Sequence, residues 1–320
     1  MTVNYTDKAL DAERVSVLVI CFNQERFVEA ALASVLQQTH KNYELIIVDD
    51  ASEDNSVEVI QAWSTRYSVD TILIAKQHNG GVCKSINSGL AAATGSYIAL
   101  LAADDIWYPR KLEIQLRQLQ KLPDAYGVVY GNADRMTESG APMVGSFLSG
   151  DLEMSVMPEG DIFETLLKRN FIPVLSTLIR SACFDRVGTY DESLVYEDWD
   201  FWLRVSALYK FAYTEEVLAC YRVVDSSLSR SLGSKGWESD IRMYKKILGL
   251  RSHLDPTIRG QLANRGEMLY YAGSRRRRYH AWVWWRYGGG RPAFLRLLLS
   301  FGCIYKFDSF YSFGRANRQG

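Results

Sequence analysis

Between Val15 and Tyr130 the chain alternates two hydrophobic rhythms. Short runs dominated by Val, Ile and Leu, at Val15–Phe22, Tyr43–Val48, Thr71–Ala75, Tyr97–Ala103 and Gly127–Tyr130, predict buried strands. Between them apolar residues return at helical spacing. Phe27, Ala31, Leu32, Val35 and Leu36 form one such face; further helices are predicted through Trp63 and over Val82–Ala93. After Pro109, which suits a first helical turn because that position needs no N–H, Leu112, Leu116, Leu119 and Leu122 form another. Strands and helices alternating at this spacing predict βαβ units and a mostly parallel sheet. Val174–Arg180 predicts a further short strand, and a helical pattern starts near Tyr196 and runs to about Leu208. Gly140–Gly160, rich in Gly, Ser and Met, predicts a mobile loop of the kind that covers a site or recognises substrate.

Two of the predicted strands end in paired acids, Asp49-Asp50 and Asp104-Asp105. In an open α/β sheet the C-terminal strand ends face a crevice, and two adjacent carboxylates there repel unless a cation joins them. The plainer alternative is a helix N-terminus, whose dipole favours acids. The glycines match neither GxGxxG nor a phosphate-cradling P-loop. A second cluster, Tyr196-Glu197-Asp198-Trp199-Asp200, interleaves acids with aromatics. A carboxylate against aromatic walls gains proton affinity and suits proton abstraction, and aromatic faces bind sugar rings. Lys84, just after Asn79-Gly80-Gly81, is placed to meet phosphate or sugar or to lie on a solvated face; His78 beside it reads as structural.

Charge divides the chain more sharply than composition does. Residues 1–230 hold 20 Lys/Arg against 32 Asp/Glu, whereas residues 231–320 hold 17 against 5, so an acidic body precedes a basic tail. In that tail Arg275–Arg278 is followed by Tyr279, Trp282, Trp284, Trp285, Tyr287 and the apolar stretch Pro292–Phe301. Basic residues mixed with Trp suit an interfacial helix on an anionic membrane, and also a helical subdomain with solvated arginines. No nucleic-acid recognition module is visible, so no nucleic-acid partner is expected. The five cysteines show no metal-ligand spacing and read as free thiols in a reducing compartment. With neither a signal-peptide pattern at the N-terminus nor an apolar run of about 18 residues, the expected location is cytoplasmic, peripheral on the inner face of the membrane if the tail binds it.

Taken in order, Val15–Asn23, Ser34–Thr39, Tyr43–Ser52, Asn79–Gly81, Asn87–Leu90, Gly95–Asp105 and Glu197–Arg204 resemble the inverting family 2 glycosyltransferases of the GT-A fold. The agreement in order and spacing covers roughly residues 14 to 230. The resemblance implies an α/β, Rossmann-like nucleotide-diphospho-sugar transferase domain over residues 1–230, its mostly parallel central sheet flanked by helices. Residues 231–320 then form a helical C-terminal extension. It further implies transfer of a sugar from a nucleotide-diphosphate sugar to a hydroxyl of a glycan or lipid-linked glycan acceptor, in surface polysaccharide assembly. Ile20 and Phe22 would flank the nucleobase and Asp50 would accept a hydrogen bond from it. Asp104, near the ribose, and Asp105 would hold a divalent cation, Mg2+ or Mn2+. Arg222 would reach the donor diphosphate, or else form a buried structural ion pair. Asp198 would be the general base, with Glu197 tuning it. Three departures from the family pattern stand out: Ala102 replaces a third acid, the first strand ends Ile20-Cys21-Phe22-Asn23, and Val224 replaces a His. A non-catalytic nucleotide-sugar binder on the same fold is the competing expectation, and Glu197-Asp198 argues against it.

Overall fold

A computed structural model describes residues 13–148, 156–224 and 233–300. The chain divides into two compact units between Ser231 and Leu232. In the first unit four strands, β1 (Val15–Cys21), β2 (Tyr43–Asp49), β3 (Thr71–Ala75) and β4 (Tyr97–Ala102), alternate with α1 (Val28–Leu36), α2 (Ser56–Tyr67) and α3 (Val82–Ala92). There follow β5 (Ile106–Trp107), α4 (Lys111–Lys121), β6 (Tyr126–Thr137), α5 (Phe163–Lys168), β7 (Leu178–Arg180), α6 (Ala182–Val187), α7 (Asp198–Ser206) and β8 (Lys210–Val223). The sheet order is β3-β2-β1-β4-β7-β6-β8-β5. The first four strands are mutually parallel. Beyond β4 the sheet is mixed: β7 runs antiparallel to β4 and β6, β8 parallel to β6, and β5 antiparallel to β8.

The strand periodicity explains the layering. Alternate residues Val15, Val17 and Val19 of β1 join Leu45 and Ile47 of β2 in one core with Leu32, Ile60, Trp63, Leu112 and Leu116. The opposite face of β1 and β2 receives α3. A Cβ on Gly89 would meet Leu18 Cδ2 at 2.9 Å and Val48 Cγ2 at 3.3 Å, so only glycine lets that helix lie this close.

Several elements differ from the hydrophobic pattern. Val174–Ser176 is a 3-10 turn, and the strand expected there keeps only Leu178–Arg180. Side chains of Trp107, Lys111 and Gln115 take the carbonyls of Leu175, Thr177 and Ser176, so those groups have no need of a sheet partner. β8 has fourteen residues but reads poorly in sequence, because Thr214-Glu215-Glu216 interrupts its alternation and its pairing with β6 shifts register near Asn132. Of the Gly140–Gly160 loop, residues 149–155 lie outside the described residues. Its described flanks are pinned by bridges between Met136 and Pro142 and between Gly160 and Phe211. The N-terminal seven residues behind the signal-peptide reading, and Phe301, also lie outside them.

The second unit is helical: α8 (Gly233–Ile247), α9 (Asp255–Tyr271), α10 (Arg277–Gly288) and α11 (Arg291–Ser300). Its small core joins Tyr270, Ala281, Leu297 and Trp284. Gly266 lets α9 and α10 touch, since a Cβ there would stand 2.7 Å from the Trp284 nitrogen. An Asp240–Arg265 ion pair at 2.6 Å ties α8 to α9. Tyr279, Trp282, Trp285, Phe294 and Leu295 are exposed. No helix among the described residues is long and apolar enough to cross a membrane.

Candidate active site

The parallel register decides where the acids emerge. Ile20 lies beside Val48 and Ala102, so Phe22, Asp50 and Asp104-Asp105 leave the sheet at one edge. Two backbone bonds prolong that edge: Asp50 N–H donates to the Cys21 carbonyl and Ala103 N–H to that of Ile20, both at 2.9 Å. Ile20 is half-buried, and Phe22 is 42% exposed, a large ring left open at a strand end. Asn23 and Ala51, just past β1 and β2, take left-handed φ of 54° and 63°. For alanine that conformation costs about 1–2 kcal/mol. It is held by a lattice of short bonds: Asn23 N–H to Ser52 Oγ, Glu53 N–H to Asn23 Oδ1 and Ser52 N–H to Asp49 Oδ1, each at 2.8 Å. Strain concentrated at one sheet edge is a recurrent mark of a working site.

Asp50 is buried and already well supplied with donors. Lys76 Nζ and Gly80 N–H (2.9 Å) meet Oδ1, and Gly81 N–H meets Oδ2 at 2.8 Å. Burial works to raise its pKa, but the ammonium and the loop amides outweigh it and the net shift is downward. Lys84, exposed on the first turn of α3, lines an open basin of about 430 Å3 with Lys76, His78, Asn79, Asn87 and Glu192. That basin flanks the Asp50 loop, and neither acid pair lines it.

Asp104 and Asp105 are handled differently. Asp105 is buried, and its Oδ1 accepts the Arg222 N–H at 2.8 Å. Asp104 is half-buried and its Oδ2 has only a long contact, 3.5 Å, from Gln24 Nε2. Burial raises the pKa of both; for Asp105 the adjacent Asp104 charge adds to it and the result lies well above the ordinary range. The Arg222 guanidinium lies over the Phe27 ring at 4.7 Å and donates to backbone: Nε to the Asp104 carbonyl at 2.8 Å, Nη1 to that of Glu138 at 2.9 Å. Among the described residues no ion pair includes Asp104 or Asp105. Two under-compensated hard oxygen donors fit Mg2+ or Mn2+. They fit it in the manner of a cation that keeps waters and takes phosphate oxygens from a substrate, because Ala102 brings no third ligand. Among the described residues no cluster of three or more His, Cys, Asp or Glu could hold a metal unaided.

The second acid pair opens α7. Glu197 and Asp198 are half-buried. Asp198 Oδ1 accepts the Trp199 N–H and its Oδ2 the Asn170 amide, both at 2.7 Å. Burial raises the Asp198 pKa and these two donors hold the rise back. Burial and then the Asp198 charge push Glu197 to about 8. Near neutral pH the protonated form of Glu197 is therefore favoured. Asp200 belongs to the framework: it pairs with Arg204 at 2.8 Å, and Arg204 in turn ties the carbonyls of Val187 and Thr189. The approach to the pair is fastened to α3, where Asn87 and Tyr190 exchange two hydrogen bonds of 2.9 and 3.0 Å.

Lys76, Gln24 and Asn170 escaped the sequence reading. Lys76 follows β3 directly and shares the edge of Asp50, so strand order alone would have found it. Asn170 lies 28 residues before its partner and carries no local signal.

With this geometry in view, similarity to known proteins becomes informative. The family model described as Glycosyl transferase family 2 matches residues 16–177, half of the chain. An uncharacterized glycosyltransferase of Rickettsia typhi is 31% identical over 221 residues, covering 68% of this chain and 66% of its own. The chain spans from about a third to two thirds of the length of the rickettsial relatives it matches. Among solved structures, S. aureus TarS in complex with UDP-GlcNAc superposes with a TM-score of 0.61 at 15% identity, covering 92% of this chain and 94% of that one. Mannosyltransferase PcManGT of Pyrobaculum calidifontis, with GDP-Man and Mn2+, gives 0.57 at 15% identity, covering 94% and 83%. These likenesses establish the GT-A fold.

Proposed function

Because the chain belongs to glycosyl transferase family 2, we propose that it transfers a sugar from a nucleotide-diphosphate donor to an acceptor hydroxyl, by one displacement that inverts the anomeric centre. The observation that carries this reading is Asp198: a carboxylate held by two donors, beside a carboxyl that keeps its proton to about pH 8. A lone proton acceptor is what a single displacement needs, because no covalent intermediate has to be formed and released. Asp198 takes the proton of the attacking hydroxyl. Glu197, protonated, confines the negative charge of the pair to Asp198.

The donor side follows from the sheet edge. Phe22 and Ile20 bracket the nucleobase, and Asp50 accepts a hydrogen bond from its N–H. Lys84 reaches the donor from the basin. Asp104 and Asp105 hold a divalent cation; when bound, it neutralises the charge that builds on the departing nucleoside diphosphate. Arg222, fixed by backbone carbonyls, adds a positive field beside them without having to move. The nucleotide complexes of TarS and PcManGT, and the Mn2+ of the latter, are in keeping with this assignment. A screen of UDP-, dTDP- and GDP-sugars with Mn2+ or Mg2+ tests it, by thermal shift followed by product detection. At least one nucleotide is expected to raise Tm in a metal-dependent way, and no shift with any of them would overturn the donor reading.

The second unit bears on the acceptor. Its exposed Tyr279, Trp282, Trp285, Phe294 and Leu295 accompany a strong excess of Lys and Arg. Such a surface suits an anionic bilayer and a lipid-linked glycan of surface polysaccharide assembly, with the protein peripheral on the cytoplasmic face. Co-sedimentation with vesicles containing anionic lipid is expected for the full chain and should fall in Trp282→Ser/Trp285→Ser. Equal binding by both would remove this surface from the account.

A further inference from the structure

Among the described residues, Asn170 has one side-chain partner, and that partner is Asp198. Its Nδ2 donates to Asp198 Oδ2 at 2.7 Å, while its Oδ1 is buried with no hydrogen bond. An asparagine serving only the fold normally satisfies both ends, since an unmet buried carbonyl oxygen costs stability. An amide N–H aimed at the carboxylate suits its ionised form, which accepts hydrogen bonds but has none to donate.

The segment carrying Asn170 is pinned on both sides. Upstream, the indole N–H of Trp199 donates to the Leu166 carbonyl at 2.7 Å, joining the helix before Asn170 to the residue after Asp198. Downstream, one face of the β5–α4 segment clamps the 3-10 turn. Trp107 Nε1 and Lys111 Nζ donate to the carbonyls of Leu175 and Thr177 at 2.8 Å, and Gln115 Nε2 to that of Ser176 at 2.7 Å. Lys111 is fully buried, 4.2 Å over the Trp107 ring, a costly way to hold a turn unless the turn must stay where it is. The clamp begins two residues after Asp105, so the segment that follows one acid pair also holds the turn just downstream of the amide that serves the other.

We propose that Asn170 is a positioning residue for Asp198: its amide fixes the carboxylate's orientation and favours the charged, proton-accepting form. This deepens the reading of Asp198 as general base and rests on it. Among the described residues, the ionisable groups around Asp198 are few. Glu197 adjoins it, and Asp200 with Arg204 shares its helix. Cys83 on α3 and Tyr190 before α7 face the pair. Glu164 and Lys168 on α5 pair with each other at 3.1 Å, and Asp185 and Arg186 lie on α6. None of these donates to the Asp198 carboxylate, so Asn170 and the Trp199 N–H carry that task.

The test needs no substrate. Carbon-13 NMR of side-chain carboxyls in the aspartate-labelled full chain, assigned by the signal lost in Asp198→Asn, follows the titration of Asp198 directly. Asn170→Ala is expected to raise its midpoint by about one pH unit, the size of a lost charge-assisted hydrogen bond. Asn170→Asp, nearly isosteric, should raise it further by adding a like charge. An unmoved midpoint in either folded variant overturns the proposal, as does failure of both variants to fold, which would make Asn170 a framework residue. Failure of the base assignment itself is read separately, from turnover of Asp198→Asn.

Discussion

Asp104-Asp105 at the end of β4 and Glu197-Asp198 at the start of α7 are both adjacent carboxylates drawn out of water, and they differ in what surrounds them. The strand-end pair meets one backbone N–H, a distant amide and an arginine turned toward carbonyl oxygens. The helix-start pair meets two short donors on Asp198, and burial with the Asp198 charge pushes Glu197 up to about 8. The first pair is left electrostatically open, a state a cation would complete. In the second, burial and the neighbouring charge favour a proton on Glu197. Adjacent acids alone therefore do not announce their chemistry; the donors within about 3 Å of them do.

The largest effect expected from this contrast is on turnover. Asp198→Asn removes the acceptor while leaving the donor side intact, so kcat should fall by about 10^2–10^4-fold with nucleotide-induced thermal shifts unchanged. Turnover near the wild-type value would sink the division of labour. Next comes Asp105→Asn, which keeps an oxygen for the Arg222 N–H but removes a charge from the open pair. The Mn2+-dependent part of the nucleotide thermal shift should disappear. The metal-free variant should be more stable than the parent at pH 7, because a buried carboxylate with a raised pKa opposes folding once it ionises. A variant that kept its Mn2+ response would place the metal elsewhere.

Much of this was legible in the residues. Strand ends at Asp50 and Asp104-Asp105 followed from apolar runs that stop abruptly, and α7 from spaced aromatics, because both signals are local. What escaped was non-local. Asn170 reaches Asp198 only after the chain has folded through a 3-10 turn, and that turn exists because three side chains of the β5–α4 segment capture its carbonyls. β8 was hidden for a related reason. Its place beside β6 depends on register shifts that no alternation within Lys210–Val223 reveals. From sequence Arg222 read either as a diphosphate contact or as a buried structural ion pair; its Nε and Nη1 donate to the backbone carbonyls of Asp104 and Glu138, contacts that no local pattern announces.

The smallest effect is the sharpest discriminator between the pairs. Glu197, pushed up to about 8, lies above the ordinary glutamate value, so the folded state binds its proton more tightly than the unfolded chain. Stability from this group is then fully present below about pH 4.3 and is lost as pH rises toward about 8. Glu197→Gln removes that dependence while keeping shape and a neutral side chain. At pH 8 the variant should melt higher than the parent, and near pH 4 the two should coincide. The Asp198 acceptor would remain, so turnover should persist with a flatter alkaline side. A Tm difference independent of pH would mean that no proton is shared, and that the helix-start pair, like the strand-end pair, is relieved only when something binds.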